Sequence, residues 1–260
     1  MREIDITLEL SNKCNLSCPM CTLAEKDVLS PQLMPLKTAE KFVNDISQSR
    51  YVVNVLRLFW AGEPLLNPDF SDILGTVSGC TRIKRISFDT NGLLLESSHC
   101  RKITECAAHG TDIHIMFSID SFDPDLYARI RTGGDISRVC RNISDLLEHI
   151  RRSGTDKNIH IALQFIIMPE NSDYIGDYIS RAIGIFKNCG YECDIMLNES
   201  MAKRNGVNLR PLTIQDEDKC GINQQASNML YENILRSLGL IGDNRKISSI
   251  IQGGGGLYYE

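Results

Sequence analysis

Cys14-Asn15-Leu16-Ser17-Cys18-Pro19-Met20-Cys21 places three cysteines within eight residues, spaced C-x3-C-x2-C. Just upstream, Ile4-Asp5-Ile6-Thr7-Leu8-Glu9-Leu10 alternates apolar and polar side chains and reads as a β-strand. The cysteines therefore lie on a loop leaving a strand end. Thiolates hold iron–sulfur clusters, usually four to a cluster. Three this close supply three irons of a 4Fe–4S cube and leave the fourth iron free to bind a second molecule. Half a zinc site is the competing reading, but closed zinc sites take four ligands, commonly from C-x2-C pairs. No second C-x2-C pair occurs in the chain, and no histidine lies near the loop. The loop placement also speaks against three buried free thiols.

The segment from Leu8-Glu9-Leu10-Ser11-Asn12-Lys13-Cys14 to Cys21 closely resembles the radical S-adenosylmethionine (radical SAM) superfamily. The resemblance implies that Cys14, Cys18 and Cys21 ligate a 4Fe–4S cluster whose open iron chelates SAM. It further implies that one electron, from a flavodoxin- or ferredoxin-type donor, cleaves SAM to methionine and a 5′-deoxyadenosyl radical, which abstracts hydrogen from a substrate. The protein then aims chemistry that belongs to the cofactor.

Downstream of the loop, strand and helix patterns alternate. A polar stretch runs from Thr22 to Pro35. Strands are predicted over Val52–Trp60, Arg85–Asp89, Ile113–Asp120, Ile159–Met168 and Tyr191–Leu197. Helices are predicted over Lys37–Ser49, Asp69–Gly79, Ser97–Ala108, Ile136–Arg152 and Tyr174–Asn188. Such βα units imply a parallel sheet, and apolar runs such as Ile161–Met168 suit strands buried on both faces. Six units by residue 197 are too few for a closed eight-fold barrel. They fit the α/β partial (β/α)6 TIM-like barrel that the resemblance implies, with its chemistry at the strand C-termini. Residues 1–197 are thus expected to be the core, 198–252 a small C-terminal appendage and 253–260 a flexible tail.

The 42% apolar content is ordinary for a globular protein, and the net charge of -5 offers no basic patch for nucleic acid. No run approaches a membrane span, and the chain enters a strand without a signal peptide. Ten cysteines without a secretory signal point to a reducing cytoplasm.

Candidate ligands for SAM sit where the strands end. Ala61-Gly62-Glu63-Pro64 is similar to the family's Gly-Gly-Glu-Pro segment, with Ala61 a departure; the resemblance implies that Gly62, Glu63 and Pro64 meet SAM's amino group. An ammonium wants a carboxylate, and a glycine allows close backbone approach. Ser118 and Asp120, in Ser-Ile-Asp-Ser, are expected near the ribose and carboxylate. Asp123, before Pro124, is the better helix cap, which leaves Asp120 free. Arg131 either pairs with SAM's carboxylate or is a solvated surface residue. Asn91, in Thr90-Asn91-Gly92, either faces SAM or substrate or belongs to a plain turn. Met20 matches a family position that packs on adenine. Gln164 points either into the barrel, where a polar ligand would explain it, or toward the helices. His99, His109, His114, His149 and His160 show no metal spacing and read as structural or surface residues.

Beyond residue 197, Arg204-Asn205-Gly206, Cys220 and Leu240-Ile241-Gly242-Asp243-Asn244 resemble the family's SPASM or twitch extension, which carries auxiliary clusters. No cysteine follows Cys220, so a degenerate, cluster-free appendage is expected, although Cys189, Cys193 and Cys220 could hold one. Without an auxiliary cluster, epimerisation, rearrangement or bond cleavage gains over dehydrogenation, and Cys193 or Cys220 becomes a hypothetical hydrogen donor. The expected substrate is a small molecule such as an amino sugar or aminocyclitol in natural-product biosynthesis, since so short a chain offers no leader-binding domain. A peptide maturase and a non-catalytic iron–sulfur protein are the alternatives, and oxygen sensitivity follows from an open cluster.

Overall fold

Side-chain alternation along the strands sets the layering. The computed structural model describes residues 2–21, 32–199, 201–213 and 223–241. Its strands are β1 (Arg2–Thr7), β2 (Tyr51–Arg57), β3 (Arg85–Thr90), β4 (Asp112–Ser118), β5 (Ile159–Ile167), β6 (Asp194–Leu197) and β7 (Gly206–Pro211). They form one seven-stranded sheet in the order β1-β2-β3-β4-β5-β7-β6, every pair parallel. The sheet is not closed: β1 and β6 are its edges.

Register shows what each face carries. Phe88, Ile115 and Ile161 lie level with one another, as do Thr90, Phe117, Leu163, Val207 and Ile195. This outer face joins the helices in one continuous core. The rows between are polar. Arg57, Ser87, His114 and His160 are level, and so are Ser118, Gln164, Asn208 and Met196. The strands are therefore not apolar on both faces. The Ile161–Met168 run looks continuous only because Ala162 and Ile166 share the inner face with Gln164.

The helices are α1 (Leu36–Ser47), α2 (Phe70–Ser78), α3 (Ser97–Ala108), α4 (Pro124–Ile130), α5 (Ile136–Ser153), α6 (Ile175–Asn188) and α7 (Gln224–Ser237). In α5 the stripe Ile136, Val139, Ile143, Leu146, Leu147 and Ile150 is buried. Its start is capped by Asp135, which accepts from Arg138 N at 3.1 Å, and it stops at Gly154 with φ +66°. Asp123 caps α4 through Leu126 N at 2.8 Å, with Pro124 in the first turn.

Two expectations need correction. Trp60 does not end a buried strand: β2 stops at Arg57, and Trp60 is 73% exposed on the rim. Residue 197 is not a structural boundary either, because β7 sits between β5 and β6 and belongs to the core sheet. Cys220, the polar stretch 22–31 and the tail 253–260 lie outside the described residues.

Parallel strands β6 and β7 are joined with no helix between them, so the connection must run back along the sheet. Asn198 turns it with φ +54°. Asn208, fully buried on the inner face, receives Glu199 N at 3.1 Å and donates to Glu199 O. Arg210 Nε donates to Asn198 Oδ1 at 3.1 Å. Glu199, Ala202 and Arg204 then line a cavity with Ser87, His114, Met116 and His160, so this connection covers the lower inner face. Asn208→Ala should cost about 1–3 kcal/mol by leaving Glu199 N and O without their partner; urea denaturation checks it.

Candidate active site

Three turns converge on the cysteine loop at the C-terminal rim. The turn after β2 is pressed against the loop's backbone: a Cβ on Gly62 would stand 2.0 Å from Ser11 O and 2.6 Å from Lys13 O. Only glycine fits that approach. Glu63 N donates to Lys13 O at 2.7 Å, and Ala61 N donates to Glu9 Oε1 at 2.9 Å. Pro64 opens a buried 3-10 turn, Pro64–Leu66, capped by Glu63.

Glu63 is 3% exposed and fully engaged by protein donors. Its Oε1 accepts from Thr90 Oγ1 at 2.7 Å and Leu65 N at 3.1 Å, and its Oε2 accepts from Asn91 N at 2.8 Å. It thus ties the Gly-Glu-Pro turn to the turn after β3. Burial raises its pKa, while those three donors pull it down. Asn91 completes the link: its Nδ2 donates to Asn15 Oδ1 at 2.8 Å and approaches Cys14 Sγ at 3.9 Å.

The third turn follows β4. Asp120 adopts φ +64°, a costly conformation for a non-glycine residue, and is fully buried. Its carboxylate is paired with Arg131 and accepts from Ile166 N at 2.7 Å. The expectation that Asp120 stays free is therefore corrected, although Asp123 does cap α4. Arg131 is no solvated surface residue: its side chain is 12% exposed and its Nη1 reaches Cys18 Sγ at 3.8 Å. Burial raises the Asp120 carboxyl, which Arg131 opposes. Arg131 Nε is buried without a hydrogen-bond partner.

This donor set suits a multi-iron cluster. Among the described residues, the three thiols do not form a group whose ligand atoms lie within 4.8 Å of one another, as a single ion would need. Yet they sense one another's charge. Leu16 N, Asn91 Nδ2 and Arg131 Nη1 all point at cysteine sulfurs, at 3.4, 3.9 and 3.8 Å. Burial pushes the Cys14 thiol up to about 11, so a positive metal centre is what would ionise it. The orphaned Arg131 Nε is a further buried donor beside the loop.

The sequence profile described as "Radical SAM superfamily" matches residues 8–180. The chain belongs to the radical SAM superfamily. It is 33% identical over 141 residues to a probable GTP 3',8-cyclase from Methanococcus maripaludis, covering 54% of this chain and 44% of that protein. It is 27% identical over 179 residues to the GTP 3',8-cyclase of Alkaliphilus metalliredigens, covering 68% and 51%. The chain thus spans about half the length of these curated relatives. Among solved structures, Streptococcus suis SuiB bound to S-adenosylmethionine superposes with a TM-score of 0.59 at 17% identity, over 92% of this chain and 48% of SuiB. Native anSMEcpe with bound AdoMet gives 0.55 at 17%, over 89% and 58%. These likenesses show the fold. A radical SAM enzyme takes a 4Fe–4S cluster and SAM as cofactors.

The remaining candidates divide by face. Ser118 and Gln164 share the inner face, where Gln164 Nε2 donates to Ser118 Oγ at 3.4 Å. Gln164 Oε1 accepts from Arg210 Nη1 at 3.0 Å, so it points into the barrel. Met20 packs on Leu126, Ile130, Met168 and Leu212 beside the loop. Cys189 and Cys193, by contrast, pack against the outer core, on the far side of the sheet from the cavity. Burial raises Cys193 to about 11, and its Sγ lies 3.9 Å from Asp194 O. Cys193 is thus misplaced as a hydrogen donor at the rim.

Asp89 and Arg210 were missed as candidates. Asp89 lies inward on β3; burial raises its carboxyl to about 7, against the pull of Arg210 and Arg57. The signal was available, since Arg85-Ile86-Ser87-Phe88-Asp89 alternates polar and apolar and an Asp at the polar phase must face the barrel.

Arg131→Met should cost about 3–5 kcal/mol, because it strands Asp120 as a buried charge; chemical denaturation reads it. A carboxyl raised in the fold binds its proton more tightly there, so its contribution to stability is present near pH 4 and is lost as pH rises through about 7. Asp89→Asn should remove that loss: urea midpoints compared at both ends of this window should show the variant gaining on the parent at the higher pH.

Proposed function

We propose that the chain cleaves SAM reductively and abstracts hydrogen from a small polar molecule, of the amino sugar or aminocyclitol kind, held on the inner face of the sheet. The observation that carries this is the polar lining of that face below the cysteine loop, with Asp89, Gln164 and Arg210 from three strands. Asp89 and Gln164 suit amino and hydroxyl groups, and Arg210 can donate to hydroxyl or ring oxygens. Relatives named GTP 3',8-cyclases agree with a small molecule, whereas SuiB has been solved bound to a precursor peptide.

In this reading Cys14, Cys18 and Cys21 hold the cluster. When bound, the 4Fe–4S cluster and SAM supply one electron and a 5′-deoxyadenosyl radical. Gly62 keeps the turn's backbone close, so that backbone carbonyls of the Gly-Glu-Pro turn receive SAM's ammonium. Glu63 acts by bracing that turn and Asn91 against the loop, because its oxygens are already taken by protein donors. Arg131 keeps a positive charge against Cys18 and offers Nε to SAM's carboxylate. Ser118 faces the ribose and Met20 the adenine. A flavodoxin- or ferredoxin-type protein delivers the electron, and the loaded protein is oxygen-sensitive. The expected outcome is redox-neutral, an epimerisation or rearrangement.

The test is anaerobic reconstitution with dithionite and SAM, followed by 5′-deoxyadenosine measured by mass spectrometry. The parent protein should form it, and Cys14→Ala should not. Panels of amino sugars, aminocyclitols and nucleotides should include a compound that raises the rate, and Arg210→Gln should weaken that response roughly tenfold. Stimulation by a peptide and by no small molecule would overturn the substrate reading. Absence of 5′-deoxyadenosine with the cluster loaded would overturn the activity.

A further inference from the structure

His114 and His160 are far apart in sequence, but the sheet places them as direct partners on β4 and β5. Their rings lie 4.7 Å apart between centroids, tilted by 45°. Asp112 precedes His114 by two residues and so shares its face. His114 Nε2 lies 3.3 Å from Asp112 Oδ1, and His160 Nε2 lies 3.1 Å from the same oxygen. Among the described residues this is the one group of three such side chains whose ligand atoms fall within 4.8 Å of one another. It sits toward the strand N-termini, at the opposite end of the sheet from the cysteine loop.

Asp112 Oδ1 is shared by the two imidazoles, and its contact with His114 is poorly aligned for a hydrogen bond. His114 is 5% exposed, and its Nε2 and Asp112 Oδ1 are both buried at ion-pair distance without a well-aligned hydrogen bond between them. Two atoms that could satisfy each other are close enough to do so but are not aimed at each other. Atoms that ligate one ion behave this way, since each points at a shared centre. Nitrogen and oxygen ligands stand about 2.0–2.1 Å from zinc, so the edge of their tetrahedron is about 3.3 Å. The separations of 3.1 and 3.3 Å from Asp112 Oδ1 are compatible with that edge, and all three ligand atoms lie within 4.8 Å of one another. A cavity of about 20 Å³ is lined by both histidines, and that is room for one water as a fourth ligand.

We propose that Asp112, His114 and His160 form a metal site for a divalent transition ion, zinc by ligand type, separate from the cysteine loop. Asp112 ligates through Oδ1 alone. Its Oδ2 is held by Lys203 Nζ at 3.0 Å, with Arg85 Nε at 3.8 Å. These groups orient the carboxylate, as outer partners of metal ligands do. Their positive charge also opposes the ion, and the exposed Lys203 is the easier of the two to remove. The site would tie β4, β5 and the covering connection together at the lower end of the inner face.

The experiment uses the holoprotein with its iron–sulfur cluster reconstituted, equilibrated with one equivalent of zinc chloride and desalted. Elemental analysis should find one zinc per chain, and zinc-edge X-ray absorption should find only nitrogen and oxygen ligands, at about 2.0–2.1 Å. His160→Ala and His114→Gln should each weaken zinc binding more than about tenfold with iron content unchanged. Lys203→Ala touches no core residue and should tighten it. A sulfur shell at about 2.3 Å, no retained zinc, histidine variants that bind as the parent does, or Lys203→Ala that binds no better would each overturn the proposal. The readout is metal content and ligation, so it stands or falls apart from the SAM activity.

Discussion

A strand exposes its side chains to alternate sides, and in this sheet that period of two is used to separate function from stability. Seven parallel strands in register put Phe88, Ile115, Ile161 and their neighbours on one face and Arg57, Ser87, His114 and His160 on the other. The first face joins the helices and is the core. The second is too polar to be a core and can only be lined, covered or ligand-filled. A slip of one residue in any strand would exchange the two sets, so the register that buries the isoleucines also aims the polar groups.

At the C-terminal rim the constraint changes from burial to close backbone approach. Gly62 lets one turn lie on the cysteine loop, and Glu63 and Asn91 fasten a second turn to both. The Asp120–Arg131 pair fastens the third turn, with Arg131 reaching Cys18. Each of these residues stands in a segment that looks like a ligand motif, and several act on the ligand site through the protein itself. A buried carboxylate with three protein donors holds a loop's shape, and that loop carries the three thiols.

Much of this was legible from residues. The triplet Cys14, Cys18 and Cys21 after an alternating strand pointed to an iron–sulfur loop and to the radical SAM superfamily, in which the chain is placed by its match over residues 8–180. Helix α5 was legible because its apolar stripe, from Ile136 to Ile150, has a helical period. Trp60 was misjudged because an apolar run gives no sign of where burial stops. The boundary at residue 197 was misjudged because a composition change marks a change of surface, and β7 enters the sheet by pairing with strands distant in sequence.

What the sequence determined by itself was local: strand and helix periods, the thiol spacing, glycine where backbones must touch. Whether Asp120 was free, which way Gln164 faced, that Cys193 lay in the outer core, and that Asp112, His114 and His160 met at all were decided only by the tertiary structure. The reason is that these depend on pairing between strands separated by tens of residues. Chain spacing constrains neighbours along one element, whereas a parallel sheet brings its partners together through crossovers whose length says nothing about register.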